Sequence, residues 1–287
     1  FLKWLSASAA ALGLSQTDLL KIKEALAAGP VPDPTMPLSA LIPGHPGTLG
    51  RVIWISGAAC SGCPTSLLNY IADTSDPDPV LNAIANNAIP GYPLVDLSNL
   101  YPGQDGVGID MAEVLLEIVT IDWAQIVMAA SGDIPNLWMK QLRDAGGYVL
   151  MTEGAIQTVA NGKYCRIADL PDDGTIAGGP WDSYMRYYND PLLGGNRVEM
   201  TMAGATLWLA QNAVAVIALG TCASYGGIPA AKGSVTGAKG TWEWINGVNH
   251  MNKLVVNVPG CPPHPDWFVA TAGAALLELN GVIPGIL

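Results

Sequence analysis

The chain has 287 residues, a net charge of -11 and only 13% charged side chains, while half of its residues are apolar. An average soluble protein carries roughly a quarter charged residues, so a chain this poor in charge either buries an unusually large share of its surface or covers part of it with a partner. The acidic balance and the dispersal of its thirteen Lys and Arg exclude a nucleic-acid-binding face, and no uncharged apolar run reaches the roughly eighteen residues of a membrane span.

In chain order, residues 1–15, FLKWLSASAAALGLS, read as the weakly apolar middle of an export signal; the alternative is an ordinary amphipathic helix. Residues 17–28 predict a short helix, capped by Thr17 or Asp18 and stopped by Gly29 and Pro30. Six prolines between residues 29 and 50 predict an extended lead-in. The chain therefore divides into an N-terminal segment, residues 1–50, and a main domain, residues 51–287.

The main domain opens with a strand at 51–56, RVIWIS, followed by a helix at 64–71. Residues 76–106 read as loop with a helical interruption at 80–87, and 110–119 as a helix. Strands are expected at 124–129, 147–152, 214–219 and 254–258, and helices at 134–145, 200–211 and 266–279. Residues 160–196, rich in Gly, Asp and Pro, read as an irregular excursion. Apolar strands of five or six residues separated by helices indicate an α/β fold with a parallel sheet. Functional loops in such a fold lie beyond the carboxyl ends of the strands.

Four of the five cysteines follow predicted strands. Cys60 and Cys63 sit in ACSGC after the first, Cys222 in GTCASYGG after the fourth, and Cys261 in PGCPPHPDW after the fifth. Taken alone, the CxxC pair is open to three readings: redox dithiol, metal ligands or chance neighbours. Two more Gly-flanked cysteines at strand ends favour a metal or cluster site, because four thiolates hold either zinc or a 4Fe-4S cluster. Zinc ordinarily uses two close knuckles, which Cys222 and Cys261 do not form, and a dithiol mechanism leaves both idle. No GxGxxG follows the first strand and no GxxxxGK[ST] occurs, so dinucleotide and P-loop binding are excluded.

On these residues the sequence resembles the small, electron-transfer subunit of nickel-iron hydrogenases, including the nickel-iron-selenium forms. The matching pieces are GAACSGCPTSLLNY, TEGAIQT, GKYC, GTCASYGGIPAAKGSVTGAKG and VNVPGCPPHPDW, in the same order over about residues 51–275. The resemblance implies a flavodoxin-like, doubly wound domain that holds a 4Fe-4S cluster through Cys60, Cys63, Cys222 and Cys261. It also implies that the nickel-iron centre lies on a large-subunit partner and that the chain relays electrons to a cytochrome or another carrier. Glu153 matches the family's Glu in this stretch and is a candidate proton-route residue. Three positions depart from the pattern: Ala59 and Thr65 stand where many members carry an acid, and Gln157 replaces a proline. The family's cysteine-rich C-terminal domain with two further clusters has no counterpart before Leu287, which implies a truncated or naturally short form, or electron exit through another protein. The opening residues resemble the stretch after the twin arginines in these subunits' export signals, which implies a place in the periplasm or at its membrane face; the alternative is the cytoplasm. A related iron-sulfur module of a non-nickel redox complex is the alternative function.

Other candidates carry plainer readings. Cys165 is expected as a buried thiol, His264 either shapes its loop or donates to the cluster or partner, and His45 and His250 carry no ligand pattern. Lys232 either tunes the cluster field or is a solvated surface charge, and Trp181, Tyr184, Tyr187 and Tyr188 form either an interface patch or core.

Overall fold

A computed structural model describes residues 50–68, 71–73, 95–96, 107–110, 119–268 and 271. The signal-like segment, the helix at 17–28, the Pro-rich lead-in, His45, most of residues 76–106 and all but the start of the last helix lie outside them. The chain runs through β1 (Gly50–Ser56), α1 (Gly62–Leu67), β2 (Ile71–Asp73), β3 (Val95–Asp96), β4 (Val107–Asp110) and β5 (Val119–Ala124). It continues through α2 (Asp133–Ala145), β6 (Tyr148–Glu153), β7 (Arg166–Pro171), β8 (Met185–Asn189), β9 (Asn196–Thr201) and α3 (Met202–Asn212). The last described elements are β10 (Ala215–Leu219), α4 (Gly220–Tyr225) and β11 (Val255–Val258). None of the helices among the described residues is long and apolar enough to cross a membrane.

Five strands form one sheet in the order β11-β10-β6-β1-β5, and every neighbouring pair is parallel. This is the parallel α/β architecture expected from the sequence, consistent with a doubly wound fold. Every residue of β6 and of β10 is buried, as unbroken apolar runs such as AVIAL require when both faces of a central strand are covered. The strand order reverses between β1 and β6, so the crevice beyond their carboxyl ends is where such sheets bind ligands.

Four expectations are corrected. The strand read at 124–129 lies at Val119–Ala124. Its VTIDWA pattern is broken by Asp122, which is tolerated because Arg51 on β1 reaches across to it at 2.7 Å. The apolar AQIVMA run instead forms a turn with Ile126 and Val127 exposed. Ile71, read as a helix end, begins β2, and Asp110 and Val119, read as the two ends of one helix, lie in β4 and β5. Strands β2, β4 and β3 pair antiparallel in that order. Within residues 160–196, continued by β9, the supposed excursion supplies a second antiparallel sheet, β7-β9-β8.

Helix α3 lies between the parallel sheet and the antiparallel sheet β7-β9-β8. Met202 to Ala210 are all buried, and the helix packs on β1 and β6 of the parallel sheet and on β7 and β9 of the antiparallel one. A helix apolar all round is stable only when covered on every side. Thr201 starts it: its Oγ1 accepts from Gly204 N at 3.1 Å and donates to the Tyr184 carbonyl at 2.7 Å, satisfying one of the orphan donors of a helix start. Trp208 and Leu207 fill the core beside Met200, Leu150 and Ile53. On the flank of this core, Arg143 lies over the Trp208 ring at 5.0 Å, and Arg197 ties Asp133 of α2 to Asp169 of β7 at 2.6 and 2.7 Å.

Candidate cluster site

The cysteines follow the carboxyl ends of three parallel strands. Beyond β1, a turn carrying Cys60 leads into α1, which begins beside Cys63; beyond β10, α4 carries Cys222; beyond β11, a Pro-rich loop carries Cys261. All four line one partly open hollow, together with Ala59, Glu153, Gly154, Thr221, Gly260 and Pro262. Thus four residues separated by as many as two hundred positions are gathered by strand topology alone. Cys165 is elsewhere: its carbonyl accepts from Met202 N at 2.8 Å and its side chain packs against the core, half-buried where a fully buried thiol was expected.

The electrostatics of the hollow are one-sided. Its lining contains four thiols and a carboxylate but neither Lys nor Arg. Burial pushes the Cys63 thiol up to about 12, and the negative charge of Glu153 and of the other three cysteines adds to the shift. Cys222 is raised mainly by burial and by Cys261, against a backbone N–H from Ile228 that favours its thiolate. Four thiolates in such a hollow need a positively charged occupant, which is what iron or zinc supplies when thiols lose their protons to bind it.

The walls are fitted to sulfur. A Cβ placed on Gly220 would come within 2.6 Å of Cys63 Sγ, and one on Gly227 within 2.7 Å of Cys222 Sγ; both residues have positive φ, at 88° and 53°. Any side chain there would displace a cysteine sulfur. Among the described residues, no three His, Cys, Asp or Glu converge closely enough to hold a single metal ion. Four thiols lining one hollow are the donor chemistry of a four-thiolate site, and a 4Fe-4S cluster takes such a set.

Glu153 ends β6 with 1% of its surface exposed. Its Oε2 accepts from Ser56 Oγ at 3.1 Å, while Oε1 has no hydrogen-bond partner. Burial raises its pKa, opposed by Ser56 and by the nearby indole N–H of Trp54, which nevertheless stays short of a hydrogen bond. Glu153 is thus a half-satisfied buried carboxyl group at the wall of a thiol-lined hollow.

The remaining candidates sort by position. His264 is exposed, 3.3 Å from Asp266 and packed near Trp267, and it shapes the loop without lining the hollow. Lys232 and His250 are exposed and absent from the lining. Gln157 is buried with Oε1 unpartnered, outside the hollow. Of the aromatic group, Trp181 is core, Tyr184 packs edge-on against Trp244 at 5.0 Å, and Tyr187 and Tyr188 lie on β8 at the edge of the antiparallel sheet. Sequence reasoning missed an exposed apolar set a few residues from the cysteines: Leu68, Tyr225, Ile228 and Trp267, with Ile228 82% exposed. The signal was available in the placement of large apolar residues in Gly/Pro-rich loops.

A model of the family described as NADH ubiquinone oxidoreductase, 20 Kd subunit, matches residues 107–275. The chain belongs to this family. Within it, the chain is a relative of the hydrogenase small subunits over most of its length. It is 31% identical to the periplasmic NiFeSe hydrogenase small subunit of Desulfomicrobium baculatum, across 96% of this chain and 64% of that one. To the periplasmic NiFe hydrogenase small subunit 1 of Nitratidesulfovibrio vulgaris it is 26% identical, across 90% and 60%. Among solved structures, the H2-activated NiFeSe hydrogenase of Dm. baculatum matches with a TM-score of 0.57 at 31% identity, over 80% of this chain and 63% of that one. The recombinant NiFeSe hydrogenase of Desulfovibrio vulgaris Hildenborough matches with a TM-score of 0.54 at 32% identity, over 82% and 64%. The chain thus spans less than two thirds of the length of these relatives.

Proposed function

We propose that this chain is the electron-transfer small subunit of a nickel-iron hydrogenase, with a 4Fe-4S cluster held by Cys60, Cys63, Cys222 and Cys261. The observation that carries the reading is the gathering of these four thiols around one cation-free hollow. When bound, the cluster supplies one-electron transfer. The chain's own residues do the rest. The four cysteines would be its thiolate ligands, the Ile228 N–H favours the charged form of Cys222, and Gly220 and Gly227 leave room for the sulfurs. Glu153, whose carboxyl group accepts from Ser56, would be a first link of a proton route. The strand order, which reads 2-1-3-4-5 by appearance in the parallel sheet, supports a flavodoxin-like domain over residues 51–287.

The nickel-iron centre would belong to a large-subunit partner, whose docking is supported by the exposed Leu68, Tyr225, Ile228 and Trp267 close to the ligand cysteines. A cytochrome or another carrier would exchange the electrons. Relatives named as periplasmic support a periplasmic location reached by twin-arginine-type export; cytoplasmic residence is the alternative. The description of the matching family model favours a second reading, an iron-sulfur module of a redox complex without nickel.

Anaerobic isolation of the chain with its natural partner, followed by iron, sulfide and nickel analysis, tests both readings. Iron and acid-labile sulfide in equal amounts in this chain, with nickel and the remaining iron in the partner, is the expected result. Iron without nickel selects the second reading, and no iron with all four thiols free rejects both.

A further inference from the structure

Cys261 is the most weakly supported of the four thiols by its own element. It is exposed and follows β11, an edge strand paired on one side only. The loop at residues 260–263 is instead held by groups from the other two cysteine-bearing elements. Thr221, next to Cys222, donates its N–H to the Gly260 carbonyl at 2.8 Å, and its Oγ1 accepts from Gly260 N at 3.1 Å. From the far side, Ser66 of α1, three residues past Cys63, donates its hydroxyl to the Pro263 carbonyl at 2.7 Å. Among the described residues, these three are the hydrogen bonds that tie residues 260–263 to other elements.

We infer that Thr221 and Ser66 are positioning residues, a two-hydroxyl clamp that fixes the Cys261 loop against the Cys222 and Cys63 elements and so sets the fourth corner of the cluster site. The inference rests on the proposed cluster reading and adds to it which corner depends on which side chains. Each bond joins two ligand-bearing elements, so the clamp acts on the spacing between ligands rather than on any one of them. Outer-shell partners of this kind are typically worth about 10- to 100-fold in metal affinity. Releasing the clamp should make the iron at Cys261 the first to leave.

The test uses the anaerobically isolated complex in wild-type form, as Thr221→Val and Ser66→Ala, and as the double variant. Each is treated with ferricyanide, a one-electron oxidant. A 4Fe-4S cluster in its 2+ state that gives one electron to ferricyanide and releases one Fe2+ becomes a three-iron cluster in its 1+ state, and the freed cysteine takes a proton from water. Iodoacetamide then alkylates the freed thiol with loss of iodide, and mass spectrometry locates the label. The expected result is loss of iron about tenfold faster in the double variant, appearance of the three-iron EPR signal, and label on Cys261; Thr221→Ser restores the wild-type rate. The single variants, each keeping at least one bond from the other side, carry the same test if the double variant does not assemble.

Unchanged iron loss in all variants, or label on Cys60, Cys63 or Cys222, overturns the clamp while leaving the cluster reading intact. Wild-type complex without iron and sulfide in this chain overturns the cluster reading and the clamp with it.

Discussion

Two buried polar centres of this molecule are built in opposite ways. On the antiparallel-sheet side, Arg197 is 4% exposed, but both of its carboxylate partners lie within 2.7 Å. At the cysteine end, Glu153 is 1% exposed and meets one hydroxyl, with four thiols and no cation around it. A buried charge is tolerated when its partners are in place, and an incomplete set of partners marks a place where something else must bind. The first centre joins α2 to β7 and serves the fold. The second leaves its charge balance to an occupant.

Breaking the second centre at a ligand gives the largest effect. Cys222→Ser is expected to abolish cluster binding, read as loss of iron and sulfide in the isolated complex. Its stability should equal that of cluster-free wild type by urea denaturation, because only the bound group distinguishes them. A variant that keeps its full iron content would remove Cys222 from the ligand set.

Breaking the fold side tests the converse. Trp208→Ala removes the largest side chain of α3 from the core it shares with both sheets and should cost about 3–5 kcal/mol of unfolding free energy, with the EPR spectrum of the folded fraction unchanged. Arg197→Met is expected to cost less, about 1–2 kcal/mol at neutral pH, because Asp133 and Asp169 keep partial access to water. The Arg197 hydrogen bond holds Asp133 below the usual carboxylate range. A carboxylate lowered in the folded state contributes stability above its unfolded pKa of about 3.9 and loses it as pH falls through the folded value. The difference between wild type and Arg197→Met should therefore be constant at neutral pH and shrink on acidification below about pH 4. A difference that grows there would contradict the assignment.

The same contrast explains what the sequence made legible. Strands β1, β6, β10 and β11 are readable because buried parallel strands need unbroken apolar runs, and the cysteines follow them at Gly-rich turns. Strand β5 was displaced by five residues because Asp122 interrupts its run, and the partner that permits it, Arg51, comes from a distant strand. The antiparallel sheet was hidden because RIADLP, MRYYN and NRVEMT each carry polar residues on one face and, in part, Pro or Asn. Period-2 patterning of half-buried strands is weaker than the Gly/Asp/Pro composition around them. The gathering of four thiols was legible, but not the contacts of Thr221 and Ser66, since a lone hydroxyl finds its partner only when a loop 39 residues away, for Thr221, or 197, for Ser66, arrives beside it.

The smallest expected effect probes the charge imbalance of the hollow directly. In cluster-free protein, Cys63 stands at about 12, through burial first and the charge of Glu153 second. At pH 8 to 9 it is therefore almost entirely a thiol, and iodoacetamide, which reacts with thiolates, should modify it slowly. Glu153→Gln removes the negative charge while keeping the shape of the side chain and an acceptor for Ser56. The Cys63 pKa should fall, its thiolate fraction rise, and its alkylation quicken by about 3- to 10-fold at fixed pH, since one pKa unit is a factor of ten. The gain should shrink as pH approaches the Cys63 pKa, where the wild-type thiol itself begins to ionise. If alkylation of Cys63 is unchanged or slower in Glu153→Gln, burial alone governs the thiol, and the carboxylate at the end of β6 does not act on the cysteine pair.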